Sequence, residues 1–385
     1  MTRRLPITVA AGVLAAPNTP IAAQPDLHRT ELHDLRVVTV AEGLDAPWAI
    51  AFLPDGEILV TERPGRLRVI RGGRLLPDPV PGVPEVVARG QGGLLDVVAH
   101  PDFATNRTIY LSYSKPTRDH RWGTTAVVRG IYDGDRFAPT DEVFEAASRG
   151  RGHYGSRLAF DPDGFLYITI GDRQIPPRAR GDLQSHPAQQ LSDHHGVVVR
   201  VHDDGRVPAD NPFVGRNGAL PEIWSFGHRN SQGLAVHPES GAIWLTEHGP
   251  QGGDEVNVAV AGANYGWPVI GYGVNYGSGT RIHDSSHAPG MEQPLHYWTP
   301  SIGTSGLAFY TGDKFRRWRG NLLAGGLVGQ RIDRLEIEDG RVVASETILA
   351  GAGRVRDVRQ GPDGLIYVAL DARGGPSIVR LEPVR

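Results

Sequence analysis

The sequence predicts an all-β fold, a six-bladed β-propeller of four-stranded antiparallel blades with long loops gathered on one face. Two observations carry that reading. A phrase made of an apolar β-type run, a turn on Pro, Asp or Gly, and a second apolar run recurs six times across the 385 residues. The composition adds 50 Gly and 30 Pro, as a turn-dense fold requires.

The first copy runs from Trp48 to Val60 around Pro54-Asp55-Gly56, and the second from Leu95 to Phe103 with Pro101-Asp102. The third, Leu158 to Ile168 around Pro162-Asp163-Gly164, is the cleanest. Looser copies lie at Leu234 to Leu245 and Leu307 to Leu323, and Arg356 to Val368, around Pro362-Asp363-Gly364, closes the series. Pro fixes φ and Gly tolerates positive φ, so each turn reverses the chain between two alternating strands. Each phrase is therefore a hairpin. One blade cannot bury both of its faces, so blades stack radially and hide each other's apolar sides. Six phrases imply six blades in a single domain over residues 35–383. The gaps from Pro54 to Pro101, Pro162 and Pro238 grow along the chain, which places long inserted loops in the middle blades.

Charge and residue usage exclude several classes of function. A net charge of −3 gives no reason to expect nucleic acid or an anionic membrane as partner. No run reaches the roughly 18 apolar residues of a membrane span. With no cysteine, a disulfide framework, a thiolate nucleophile and a Cys-ligated metal are all unavailable. Residues 1–24 show a basic start at Arg3-Arg4, a short apolar run and the small residues Ala22-Ala23-Gln24. They read as a signal peptide for export to the periplasm or for secretion, or else as a disordered tail.

Seven segments carry polar residues that folding a propeller does not require. They are Gln91 to Leu95, His153 to Leu158, Ile170-Gly171-Asp172, Ser225 to Leu234, Glu247 to Glu255, Gly262 to Pro268, and Gly353 to Asp357. Together and in this order they resemble the soluble pyrroloquinoline-quinone (PQQ) dependent sugar dehydrogenases, over residues 35–383. The chain length is similar to that of the compact aldose sugar dehydrogenase branch.

The resemblance implies an enzyme that binds PQQ and Ca²⁺, oxidises aldose sugars at C1 to lactones, and passes electrons to a quinone, cytochrome or dye rather than to NAD or oxygen. PQQ is an ortho-quinone with three carboxylates, so guanidinium forks suit it. Arg354 and Arg356, two apart on a strand and hence on one face, are the implied carboxylate clamp. Gln91 is expected at the cofactor edge. Arg229 and Asn230 match positions near the quinone oxygens, where donors stabilise developing charge. His153 is the candidate base for the anomeric hydroxyl, with Asp172 fixing its tautomer. The carbonyls of Gly249 and Pro250 are the implied calcium ligands, and Glu255 with the Tyr265 carbonyl suggests a second, structural ion.

Three departures qualify the likeness: no lysine stands in Gly326 to Gln330, Gly152 replaces an acidic residue, and His248 replaces a glutamine. Altered sugar specificity and one missing carboxylate contact are the consequences to look for. Two other readings compete. A calcium-dependent lactonase-type propeller hydrolase would use carboxylates and asparagine on the metal in place of an Arg-x-Arg clamp. A non-catalytic binding propeller would keep the fold without the cofactor.

Overall fold

The computed structural model describes residues 27–371 and 375–384, so the segment read as a signal peptide or tail lies outside the described residues. The six repeats mark the first hairpin of six blades, although the second copy covers only its first strand and reaches the short helix Phe103–Asn106, with the partner strand Thr108–Pro116 following. The innermost strands are Pro47–Phe52, Leu94–Ala99, Leu158–Phe160, Ser231–Val236, Thr304–Phe309 and Val355–Gln360. Each pairs antiparallel with the strand that follows it, with Phe52 opposite Ile58, Phe160 opposite Leu166, and Gln360 opposite Ile366 at the turns. Gly56, Gly164 and Gly364 sit at φ of +87°, +83° and +75°, which explains why the turns end on glycine. Two further strands complete each sheet, and helix is confined to three very short pieces among the described residues.

Closure uses both ends of the chain. Strand Leu35–Glu42 is the outer strand of the sixth blade and pairs with Pro376–Pro383, Val37 opposite Leu381, while Leu27–His28 adds a short edge. The innermost strands contact their neighbours around a complete ring. Between each adjacent pair of blades lies one apolar cluster, six in all, such as Leu59 and Trp48 of the first blade against Leu111 and Phe137 of the second. Every aliphatic side chain fully buried there contributes about 1.5–3 kcal/mol, which makes the inter-blade seams the main stabilising element.

At the centre of the ring the core is ionic. Arg157, 1% exposed, faces Asp357 Oδ1 at 3.0 Å and Asp96 Oδ1 at 3.6 Å. Its Nε donates to the carbonyl of Gln232 at 2.7 Å, its Nη2 to that of Arg356 at 3.0 Å, and its guanidinium covers the Trp48 ring at 4.0 Å. Asp357 Oδ2 accepts from the Ile50 amide at 3.0 Å and from Arg359 Nε at 3.1 Å, and Asp96 Oδ2 from the Leu158 amide at 2.9 Å. Side chains from four blades and backbone from a fifth are thereby tied at one point.

Strand direction then separates the two faces. The Pro-Asp-Gly turns lie past the C-terminal ends of the innermost strands. Residues just before an innermost strand, or just after a second strand, gather on the opposite face, because the two strands are antiparallel. His153, Asn230 and Arg354 are of the first kind; Asp172, Gly249 and Asp371 are of the second. The long insertions supply the rest of this face. Residues 171–196 extend the third blade, and residues 259–295 climb beside Ile223–Phe226, with the Tyr265 amide donating to the Phe226 carbonyl and that of Trp267 to Gly227, each at 2.8 Å.

Candidate active site

His153 begins from an unusual backbone. Its φ is +45°, in the left-handed region that non-glycine residues seldom occupy and that is held only by surrounding contacts. Those contacts are present. The His153 amide donates to Gln91 Oε1 at 2.7 Å, and its carbonyl accepts from Arg173 Nη1 at 2.9 Å. Gly171 leaves the necessary space, since a Cβ there would stand 2.2 Å from the His153 carbonyl oxygen.

Nδ1 of His153 lies 2.5 Å from Asp172 Oδ1, and both side chains are buried. The other Asp172 oxygen accepts from Trp267 Nε1 at 2.7 Å, and Oδ1 also accepts from the Gln174 amide at 2.9 Å. Burial alone would raise the Asp172 carboxyl, but the His153 ring and the Arg229 guanidinium outweigh it and hold the group below the ordinary carboxylate range. Burial lowers the His153 imidazole, and this exceeds the opposing pull of Asp172. The ring is therefore neutral near pH 7, protonated on Nδ1 toward Asp172, with Nε2 left as an acceptor.

Arg229 donates through Nη1 to the carbonyls of His248 at 3.1 Å and Gly249 at 2.6 Å, and its amide donates to Glu247 Oε2 at 2.8 Å. Its guanidinium lies 5.1 Å from the Trp267 ring centre, and its Nε is buried without a partner. Asn230 accepts through Oδ1 from the Gly155 amide at 3.1 Å.

The residues line three adjoining hollows. The largest, about 470 Å³, is bounded by Gln91, Asn230, Gln232, Arg354, Arg356 and Asp371 among others. Beside it, His153, Asp172, Arg229 and Trp267 line a hollow of about 230 Å³. Pro250 and Tyr276 border both, and Tyr276 is 67% exposed at the mouth. The third hollow, about 20 Å³, is lined by Glu247, Gly249, Pro250, Glu255 and Tyr265. That volume suits one small ion or water.

Arg354 and Arg356 do share a face. Each approaches Asp371 only loosely, at 3.8 and 3.7 Å, and Arg356 Nη1 donates to Gln232 Oε1 at 3.2 Å. Burial pushes Arg356 down to about 10, which leaves it charged at neutral pH. At the small hollow, burial, then Glu247 and Asp254, push Glu255 up to about 8. The Gly249 carbonyl receives Arg229 and the Pro250 carbonyl receives Ser301 Oγ at 3.3 Å, each oxygen keeping a second lone pair. Among the described residues no group of three or more His, Asp or Glu side chains converges, so a cation here would depend on carbonyl oxygens as well as carboxylates.

Sequence reasoning left Trp267, Gln232, Arg173 and Tyr276 without roles. Trp267 lies within Gly262 to Pro268, yet its bond to Asp172 follows from the climb of residues 259–295, which no local pattern announces. Arg157 and Asp357 stood in segments read as chemistry, whereas they form the ionic centre of the fold.

The chain matches the model of the Glucose / Sorbosone dehydrogenase family over residues 44–380. It is 44% identical over 358 residues to the aldose sugar dehydrogenase YliI of Escherichia coli (strain K12), covering 91% of this chain and 93% of that one. Identity to quinoprotein glucose dehydrogenase B of Acinetobacter calcoaceticus is 35% over 264 residues, 63% of this chain and 54% of that one. The PQQ-bound form of aldose sugar dehydrogenase from Streptomyces coelicolor is similar with a TM-score of 0.71 and 30% identity, over 90% of this chain and 98% of that one.

Proposed function

The chain belongs to the glucose/sorbosone dehydrogenase family, and from that premise we propose that it oxidises aldose sugars at C1 to lactones, using PQQ and Ca²⁺ and an electron acceptor other than NAD or oxygen. The observation that carries the reading is the His153–Asp172 pair, 2.5 Å apart, opening beside a cavity walled by Arg354 and Arg356.

The residues fit the groups the family implies. About 470 Å³ lies within the range of ligand pockets, and two guanidiniums with one loosely placed carboxylate between them suit a polyanion. Arg354 and Arg356 would hold its carboxylates and Asn230 and Gln91 its edge. The carbonyls of Gly249 and Pro250, residues that also border the large cavity, would hold one calcium ion on that side. Glu255 and the Tyr265 carbonyl would hold a second, its charge offsetting the repulsion between Glu247 and Glu255. When bound, PQQ supplies the two-electron acceptor for hydride from C1 of the sugar.

The chain's own residues supply the proton chemistry. Asp172 fixes the His153 tautomer, so Nε2 is the acceptor that takes the anomeric hydroxyl proton as the C1–H bond breaks and the carbonyl forms. The resulting imidazolium is stabilised by the buried carboxylate. Arg229, with an unpartnered Nε, would place a positive charge beside the acceptor, where the arriving hydride adds negative charge. We further infer, from residues 1–24, that the protein is exported. The test is reconstitution: protein stripped of ligands reduces an artificial dye with glucose only after PQQ and Ca²⁺ are both added. Equal activity without them would overturn the reading.

A further inference from the structure

The turn Arg63-Pro64-Gly65 follows the second strand of the first blade, on the face of the site. Three arginines lie on or just after it, and two are occupied. Arg66 donates to Glu62 Oε2 at 2.5 Å and to Asp45 Oδ2 at 3.1 Å, while Arg68 Nη1 lies 3.4 Å from each oxygen of the fully buried Glu62. Arg63 differs. Its side chain makes one hydrogen bond, from Nη1 to the Gly90 carbonyl at 2.5 Å, and among the described residues no carboxylate lies within 4.0 Å of its guanidinium.

This unpaired charge borders the same cavity as Arg354 and Arg356, and is near enough to disfavour the charged form of Arg356. Its placement is built in. The Arg63 amide donates to the Ala46 carbonyl, and its own carbonyl accepts from the Leu94 amide, both at 3.1 Å. A Cβ on Gly93 would stand 2.0 Å from the Arg63 carbonyl oxygen and 2.5 Å from its Cγ, so the glycine after Gln91-Gly92 is what admits Arg63 to the cavity. Leu327 and Val328, which the fifth blade brings to the same cavity, carry no charge.

We propose that Arg63 is a third carboxylate-binding arginine of the cavity, completing a one-sided cationic wall against a tricarboxylate ligand. The inference rests on the reading of that cavity as the PQQ site. Three anions on one ligand face three guanidiniums, and the wall spans the first and sixth blades while the fifth contributes no charged group. A ligand held this way is anchored by its acidic edge and leaves its other side toward Pro250 and the His153 hollow.

The test is PQQ binding in the presence of Ca²⁺, followed by equilibrium dialysis and tryptophan quenching, with PQQ trimethyl ester as the uncharged comparison. Arg63→Ala should weaken PQQ binding about 10- to 100-fold and leave binding of the ester little changed. The salt dependence of PQQ binding should become shallower, and the melting temperature should stay that of the parent. Arg63→Gln, which keeps a donor for Gly90 without the charge, should behave as Arg63→Ala does, and it decides the matter if the alanine variant does not fold. Parent-like PQQ affinity in the variants, or equal losses for acid and ester, overturns the role of Arg63 alone. Absence of PQQ binding by the parent protein overturns the cavity's assignment instead, and this inference with it.

Discussion

Arg157 and Arg356 are separated by one hydrogen bond, yet they occupy opposite electrostatic situations. Arg157 is enclosed by two carboxylates, two carbonyls and an indole face drawn from around the ring. Arg356 reaches past the Arg157–main-chain bond into the cavity, where a glutamine and a carboxylate at 3.7 Å are its polar partners. A guanidinium whose partners are all internal holds the fold together; one whose partners are incomplete is arranged for something that arrives. The same contrast separates Asp357, bonded to Ile50 and Arg359, from Glu255, which burial keeps protonated near neutral pH.

The largest effect should come from breaking the internal group. Arg157→Met leaves the buried Asp96 and Asp357 with Arg359 as their one cationic partner, at a cost of about 3–5 kcal/mol. A melting temperature far below the parent's checks this, whereas a near-normal melt would mean that the apolar seams alone close the ring.

His153→Ala should fold and bind PQQ normally while slowing sugar-dependent cofactor reduction by about 10²-fold or more in rapid mixing. Asp172→Asn should act in the same direction more mildly. Because the folded-state pKa of His153 is lowered, the base is unprotonated through pH 6.5, and the rate should fall only on acidification below that value. A rate that falls already between pH 8 and 7 contradicts a neutral, buried base.

Glu255 sharpens the contrast through pH. Its folded pKa is raised from 4.5 to about 8, so the proton-bound form is favoured by folding. That contribution is fully present below pH 4.5 and is lost as pH rises through about 8. Metal-free protein should therefore melt at lower temperature at pH 8 than at pH 6. Added Ca²⁺ should raise the melt most at pH 8, and Glu255→Gln should remove both effects. The smallest effect is expected from Val328→Lys, which restores a cation to the uncharged rim and should tighten PQQ only about two- to fivefold, with exposure and salt limiting the gain.

How much of this could be read from the chain follows from how local each signal is. Pro-Asp-Gly turns are self-contained, so three hairpins are plain and the looser three follow from the repeat, and strand direction alone sorts His153, Asp172 and Arg354 onto one face. The pairing of Leu35–Glu42 with Pro376–Pro383 was not visible, because closure joins segments with no shared pattern. The role of Arg63 was hidden for the same reason, since it meets the Arg354–Arg356 segment only after the ring closes, whereas Asp371 is brought there by its own hairpin, its amide donating to the Arg354 carbonyl at 2.8 Å. Arg157 was legible as a motif but not as a role: sequence shows that an arginine is present, and only packing shows whether its partners are internal.

The most direct test compares Arg356→Ala with the parent protein in one set of samples, measuring the melting temperature without ligand and then the PQQ dissociation constant with Ca²⁺. An unchanged melt with affinity weakened by about 2–5 kcal/mol, and a sugar-dependent rate largely restored at saturating PQQ, is the result the account predicts. A lowered melt with undiminished PQQ affinity would contradict it, because Arg356 would then belong to the fold and not to the ligand.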